Sequence, residues 1–295
     1  MIVRDSFFYC KGYRCGGWLY LPQDADIPPP VVVMAHGFGA ESSFKLPAFA
    51  EKFVQKGMAV FLFDYRNFGS SEGEPRNLVS PSRHVRDWLA AVEHVRTLEE
   101  VDADRIGLWG TSFSGGHVLV VAAIDKGISA VVSQIPFVDG IAALFSSSLS
   151  YIFTATANGL RDLLSSIIFK KRHYVKIVGE PRSFAVLNTP ESMPGYMGIV
   201  PEETSWQNRC PAKALLEMPA YRPAKYAPRI NCPVLVVYGE KDSLIAAGDV
   251  RKTVQRIKEV KEVPFSTGHF DLYYDETFTK VAEIEAEFLQ EKLQA

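Results

Sequence analysis

Arg105-Ile-Gly-Leu-Trp-Gly110-Thr-Ser112-Phe-Ser114-Gly-Gly116 is the stretch that decides the fold. Arg105–Trp109 reads as a strand, and an apolar helix is predicted from about Ser112 to Ala123, with only a glycine-rich turn between them. A serine on so tight a strand-to-helix turn is held at the end of the strand with its hydroxyl presented outward. Small residues two before and two after that serine relieve the crowding of the turn. Here they are Gly110 and Ser114, so the pattern G-x-S-x-G carries serine in its last position. A second register, Ser112-x-Ser114-x-Gly116, moves the nucleophile into the helix and away from the strand end, which favours Ser112. A glycine-rich turn without chemistry is the bland alternative, and the surrounding sequence has to decide against it.

Working outward, the same rhythm repeats. Val31–Ala35, entered from Pro28-Pro29-Pro30, and Met58–Phe63 are continuous apolar runs, as expected of strands covered on both faces. A helical stretch over 46–56 separates them. Val85, Trp88, Leu89, Val92 and Val95 then fall at helical spacing within 83–99, and Ala130–Gln134 is strand-like again. This alternation predicts an α/β fold with a mostly parallel sheet flanked by helices. Between Pro136 and Ile230 the rhythm stops and no clean strand is evident. Leu160, Leu163, Leu164, Ile167 and Ile168 there mark an amphipathic helix, while Pro181, Pro190, Pro194, Pro201 and Pro211 punctuate an irregular segment. Tyr196 and Trp206 give that segment too much apolar content for disorder. The rhythm resumes with Pro233–Tyr238, a helix near 245–258, a short strand ending at Val263 and a helix over 276–292. The chain is therefore expected to form a core from residues 1–137 and 223–295, with a largely helical cap of residues 138–222 inserted after the sixth strand. Such an insertion lies over the carboxyl ends of the strands, where ligands bind in open α/β sheets. Its apolar surface is expected partly to pack on the core and partly to line a pocket, with Phe145 and Tyr151 as pocket-facing positions.

Composition narrows the function. The 295 residues are 47% hydrophobic and 22% charged, and 32 Lys plus Arg against 34 Asp plus Glu leave a net charge of −2. That balance gives no footprint for nucleic acid or an anionic membrane. Four cysteines (Cys10, Cys15, Cys210, Cys232) are too few for a disulfide scaffold and form no metal-binding spacing, so they are expected to be reduced and structural. The amino-terminal segment has charges at Arg4, Asp5, Lys11 and Arg14 and lacks the pattern of a secretory leader. Residues 140–160 carry no charge over 21 positions, but their serines, threonines and asparagine break any membrane span. A cytoplasmic protein is expected. No G-x-G-x-x-G or G-x-x-x-x-G-K-[ST] is present, so neither a nucleotide nor another cofactor is implied, and no metal.

The elbow has companions. Ala35-His36-Gly37-Phe38-Gly39 follows a buried strand, and its glycines let the backbone come close to a substrate. The backbone N–H of Phe38 and that of Phe113, at a helix start, form an expected oxyanion hole, two donors aimed at an oxygen that becomes anionic. Downstream, Gly239-Glu240-Lys241-Asp242 puts an acid just past a strand, and Gly268-His269 puts a histidine after the next. The order Ser112, Asp242, His269 suits a triad in which histidine takes the serine proton and the acid fixes its tautomer. Glu240 and Asp271 compete for the acid's role. Glu240 is nearer the strand, and Asp271 is too close to His269 in sequence to bridge from the far side. Asp139, also just after a strand, is a further candidate.

These motifs, with Asp64-Tyr-Arg-Asn-Phe-Gly-Ser70, resemble the α/β-hydrolase superfamily over nearly the whole chain, and within it the dienelactone-hydrolase-like and acetyl-esterase-like branch. A weaker resemblance runs to microbial members that act on polyketide or acyl-thioester substrates. Ser114 replaces the second elbow glycine, and Asn67 stands where relatives often have glycine; neither touches the triad. The resemblance implies a structural Asp64 and a serine hydrolase cleaving a carboxylic ester, or an acyltransferase or thioesterase using the same residues. Dehalogenase and epoxide-hydrolase chemistry would place an aspartate at the elbow. A silent binding protein would be expected to have lost a triad member or an oxyanion glycine. His36 is expected to order the oxyanion loop and His117 to pack in the core, while His84, His94 and His173 are expected to be solvated. The expected partner is a small-molecule ester or thioester; oligomeric state has no signature in the sequence.

Overall fold

The computed structural model describes residues 1–23 and 27–294. The chain opens with a hairpin, β1 (Ile2–Cys10) and β2 (Tyr13–Leu21), turned by Lys11 and Gly12 at φ 52° and 83°. Two successive positive φ values give the turn a twist matching that of the strands. Then follow β3 (Pro30–Ala35), α1 (Leu46–Gln55), β4 (Ala59–Phe63), α2 (Pro81–Val95), β5 (Asp102–Thr111), α3 (Phe113–Ile124) and β6 (Ile128–Gln134). The next elements are α4 (Gly140–Phe145), α5 (Leu149–Ile168), β7 (Tyr174–Val178), β8 (Ala185–Leu187), α6 (Ser192–Ile199), β9 (Cys210–Pro211) and α7 (Ala214–Glu217). The chain closes with β10 (Val234–Gly239), α8 (Ala247–Val254), β11 (Val260–Phe265) and α9 (Asp275–Leu293).

Eight strands form one sheet in the order β1-β2-β4-β3-β5-β6-β10-β11. It is parallel from β4 to β11, while β2 runs antiparallel to both β1 and β4. The α/β expectation holds: β3, β4 and β10 are buried along their whole length, as their unbroken apolar runs require. Helices α1 and α9 pack together, as do α2 and α3, and the two pairs cover the sheet. Trp109 and Trp88 anchor the two layers, Trp109 lying tilted against Phe49 of α1 at 4.9 Å and Trp88 meeting Phe63 edge-on.

Between β6 and β10 the structure corrects two expectations. First, strands are present: β8-β7-β9 make a small separate sheet, β7 pairing parallel with β8 and antiparallel with β9. They escape a sequence search because they are two to five residues long and Lys176 interrupts the longest. Second, the amphipathic stripe of α5 neither packs on the core nor lines a pocket. Leu160, Leu163, Leu164, Ile167 and Ile168 all face outward, whereas Ala155, Gly159 and Asp162 are the buried residues of the helix. No described helix is long and apolar enough to cross a membrane. All four cysteines are buried and unpaired.

Candidate active site

Ser112 sits between the end of β5 and the start of α3 with φ 56° and ψ −118°, a strained conformation for a residue with a side chain. The turn is pinned by Ser112 N–H donating to the Gln134 carbonyl at 2.9 Å and by Phe137 N–H donating to the Ser112 carbonyl at 2.9 Å. The glycines around it answer to close approach. A Cβ on Gly110 would lie 2.4 Å from the Ser114 carbonyl oxygen, and one on Gly116 would lie 2.2 Å from that of Phe137. Ser114 is fully buried, and its hydroxyl pairs with Tyr65 Oη at 2.8 Å behind the turn, which Trp88 Nε1 also reaches at 2.9 Å. Ser114 therefore faces the core, whereas Ser112 borders the cavity.

The loops after β10 and β11 bring the other two residues to Ser112. His269 Nε2 lies 3.1 Å from Ser112 Oγ, and His269 Nδ1 lies 2.6 Å from Asp242 Oδ2. The other carboxylate oxygen of Asp242 accepts from the backbone N–H of Leu244 and Ile245 at 2.7 and 2.8 Å, which fixes its orientation. Both side chains are nearly sealed from solvent, at 3% and 2% exposure. With the acid on Nδ1, the tautomer that leaves Nε2 free to accept the serine proton is favoured. The competing acids are engaged elsewhere: Glu240 with Arg251, Asp271 with Gly268 N–H, and Asp139 with Arg222 and the first turn of α4.

Phe38 and Phe113 both border the space above Ser112, and their rings meet edge-on at 5.4 Å. Neither backbone N–H has a protein acceptor among the described residues, so both remain available to an oxygen in the cavity. The carbonyls of the Phe38 loop are held from outside, by Tyr196 Oη on Phe38 O at 2.9 Å and Trp206 Nε1 on Gly39 O at 2.7 Å. In the sequence these two aromatics mark only a segment too apolar for disorder, and Glu191 carries no signal at all. Glu191 accepts from Ser243 N–H and Oγ–H at 2.7 and 2.5 Å and from His269 N–H at 2.7 Å, tying together the loops that carry Asp242 and His269. Nothing local in Thr189-Pro190-Glu191-Ser192 marks it, since its partners are 52 and 78 positions away.

Above the serine lies a cavity of about 510 Å³, bordered by Phe137, Leu144, Ile152, Leu187, Leu216 and Ile245 among others. Ser112 and His269 stand at its floor side with Phe38 and Phe113. Tyr151 lines it as expected, its hydroxyl donating to the carbonyls of Ala185 and Val186. Phe145 does not; it is 83% exposed on the outer side. Of the other singled-out residues, Asp64 is structural, accepting from Ser42 N–H, Ser70 N–H and Ser70 Oγ–H. His36 is buried against Tyr65, and burial pushes its imidazole down despite the Asp64 carboxylate 3.8 Å away. His84 is not solvated: it is buried, stacked on Tyr65 at 4.1 Å, and 3.3 Å from His117. Its neighbour His117 is in the core as expected, 2.6 Å from Tyr221 Oη, and burial pushes it down to about 3. His94 and His173 are half-buried and paired with Ser6 and Asn158. Asn67 holds φ 77°, the left-handed backbone that glycine would adopt most easily.

The chain belongs to the α/β-hydrolase family, whose fold model matches residues 30–276. It is similar to the quorum-quenching protein AidA of Acinetobacter baumannii, 36% identical over 290 residues that cover 97% of this chain and 94% of that one. It is also similar to the polyketide transferase af380 of Aspergillus fumigatus, 27% identical over 296 residues, covering 98% and 97%. Among solved structures, the α/β hydrolase GrgF from a Penicillium species superposes with a TM-score of 0.85 over the whole of both chains at 23% identity, a likeness of fold.

Proposed function

We propose that this protein is a serine hydrolase that cleaves a carboxylic ester through an acyl-enzyme. Ser112 Oγ attacks the ester carbonyl while His269 Nε2 takes its proton, and the new oxyanion is received by the N–H groups of Phe38 and Phe113. The imidazolium, stabilised by Asp242, gives its proton to the departing alcohol. Water then enters and attacks the acyl carbon as His269 accepts its proton; the bond to Ser112 Oγ breaks, the acid leaves, and His269 returns the proton to Ser112 Oγ. The observation that carries this reading is the unbroken relay from Asp242 Oδ2 through His269 to Ser112 Oγ, at 2.6 and 3.1 Å, opening onto an apolar cavity. Residues 138–222 act as a cap that selects the acyl group, since α4, α5 and α7 supply much of the cavity wall.

The test is labelling with a fluorophosphonate probe beside turnover of p-nitrophenyl esters of graded chain length. Labelling and turnover in the native protein, both lost in Ser112→Ala, support the reading. An unlabelled native protein, or a Ser112→Ala variant that still turns over, overturns it. The end-to-end similarity to a protein named a polyketide transferase favours a second reading, in which an acyl thioester is the donor and an alcohol resolves the acyl-enzyme. Thioester and lactone substrates in the same panel, with an alcohol acceptor added, separate the two by product.

A further inference from the structure

α5 is an amphipathic helix mounted with its apolar side out. Leu149, Phe153, Leu160, Leu164, Ile167 and Ile168 form one continuous outward stripe along its 20 residues. Phe145 before the helix and Phe169 after it extend the stripe at both ends. These are not marginal exposures: Leu149 is 86% exposed and Ile168 63%. At side-chain areas of 150–250 Å² for an aromatic residue, and somewhat less for Leu or Ile, the stripe presents roughly 1,000 Å² of apolar surface. That is about twice the largest patch of an ordinary monomer, ~300–600 Å².

We propose that this face pairs two copies of the chain about a two-fold axis, α5 lying antiparallel against α5 of the second copy. The area fits: twice roughly 1,000 Å² reaches the ~2,000 Å² at which permanent homodimer interfaces begin. A closed two-fold arrangement uses one patch on both copies and leaves none of it uncovered. Charge selects the antiparallel direction. The exposed cations Lys170 and Lys171 lie at one end of the stripe, whereas residues 140–160, which include the other end, carry no charge. Antiparallel pairing sets Ile167, Ile168 and Phe169 of one copy over Phe145 and Leu149 of the other. It also keeps the two lysine pairs about 30 Å apart, the length of a 20-residue helix. A parallel pair would place them side by side.

A lipid surface is the other candidate occupant and fits less well. A helix that lies in a membrane interface carries its cations on the polar flank. Here the polar side is turned into the protein, with Asp162 buried and Asn158 bonded to His173, and Arg161 is the only exposed charge on the helix itself.

Sedimentation velocity across a concentration series tests the proposal, together with a short bismaleimide cross-linker applied to single-cysteine additions, since the four native thiols are buried. The native protein is expected to sediment as a dimer, and the double variant Leu160→Glu/Leu164→Glu as a monomer with an unchanged circular dichroism spectrum and melting midpoint. Leu160→Cys, near the middle of the stripe, should cross-link to its own copy, and Leu149→Cys, far from the axis, should not. Four results would overturn the proposal: a native protein monomeric throughout, a dimer that survives the double variant, cross-linking at 149 rather than 160, or a monomer that binds phosphatidylglycerol vesicles through this stripe.

Discussion

Removing the Glu191 carboxylate should slow turnover without weakening substrate binding. Glu191 accepts three hydrogen bonds, two from Ser243 and one from His269 N–H, all between 2.5 and 2.7 Å. Bonds to a charged group contribute about 1.5–3 kcal/mol each when buried, but these are partly open to water, which would replace some of the loss in Glu191→Ala. A net loosening of about 1–2 kcal/mol spread over the two loops is the reasonable scale. Its kinetic consequence follows from geometry. In the proposed reaction His269 must keep Nε2 within hydrogen-bond reach of Ser112, and a displacement on the order of 1 Å costs about a hundredfold in rate. Glu191→Ala is therefore expected to lose between about tenfold and a hundredfold in kcat, equivalent to roughly 1.4–2.7 kcal/mol of barrier. KM should change little, because Glu191 does not border the cavity. Glu191→Gln, which keeps one oxygen able to accept, should fall between alanine and the native protein. Glu191 is on this account a positioning residue acting through His269 and Asp242. The assay is steady-state hydrolysis of a p-nitrophenyl ester, with thermal melting in parallel. An alanine variant with native kcat, or one whose loss lies wholly in KM, would refute it.

Three other outcomes are expected. Asp242→Asn should lose most of its kcat while Asp139→Asn keeps it, because Asp139 is occupied by Arg222 and by the start of α4; steady-state kinetics on the two variants would expose a reversed assignment. Burial pushes the Glu285 carboxyl up to about 8, its only bond among the described residues being from Trp109 Nε1 at 2.8 Å, so the folded state holds a proton that the unfolded chain releases above pH ~4.5. Stability should accordingly fall as pH rises from ~4.5 to ~8, and Glu285→Gln should recover up to about 3 kcal/mol at pH 7 and little at pH 4, by urea unfolding; a gain independent of pH would refute the account. Finally, the native enzyme should favour butyrate over acetate esters by about fourfold per added methylene buried, at ~0.8 kcal/mol each, and Ile152→Trp should reverse that preference; equal rates across chain lengths in both proteins would show that the cavity does not select.

How much of this was legible in the sequence depended on whether a feature is local. β3, β4 and β10 are buried on both faces, so each had to be an unbroken apolar run, and each was recognisable as one. Ser112, Asp242 and His269 could be placed because each stands just beyond a strand, where the chain order and the turn chemistry point to it. The opening hairpin could not, because Lys11-Gly12 is a weak version of the usual Asn-Gly turn and most of β1 is exposed. Glu191, Tyr196 and Trp206 were hidden for a different reason. Each acts on backbone atoms of a distant loop, and a contact with a carbonyl or an N–H leaves no pattern in the residues around it.

The orientation of α5 shows what periodicity can and cannot say. A stripe at helical spacing establishes that one face is apolar; it does not say what that face meets. In α5 the inward side is chosen by specific groups instead. Asp162 accepts from His173 N–H and Lys213 N–H, both at 2.9 Å, satisfying two backbone donors of the strands and helices beneath. Gly159 lets the helix come so close to α7 that a Cβ there would lie 2.5 Å from Leu216 Cγ. Turning the helix by half a revolution would bury the leucines, but it would strand those two donors and press bulk against Leu216. Each lost buried bond costs about 1–3 kcal/mol, and the close approach would be lost as well. Polar anchoring thus fixes which side faces inward, and it leaves the apolar side free to be satisfied by something outside the chain.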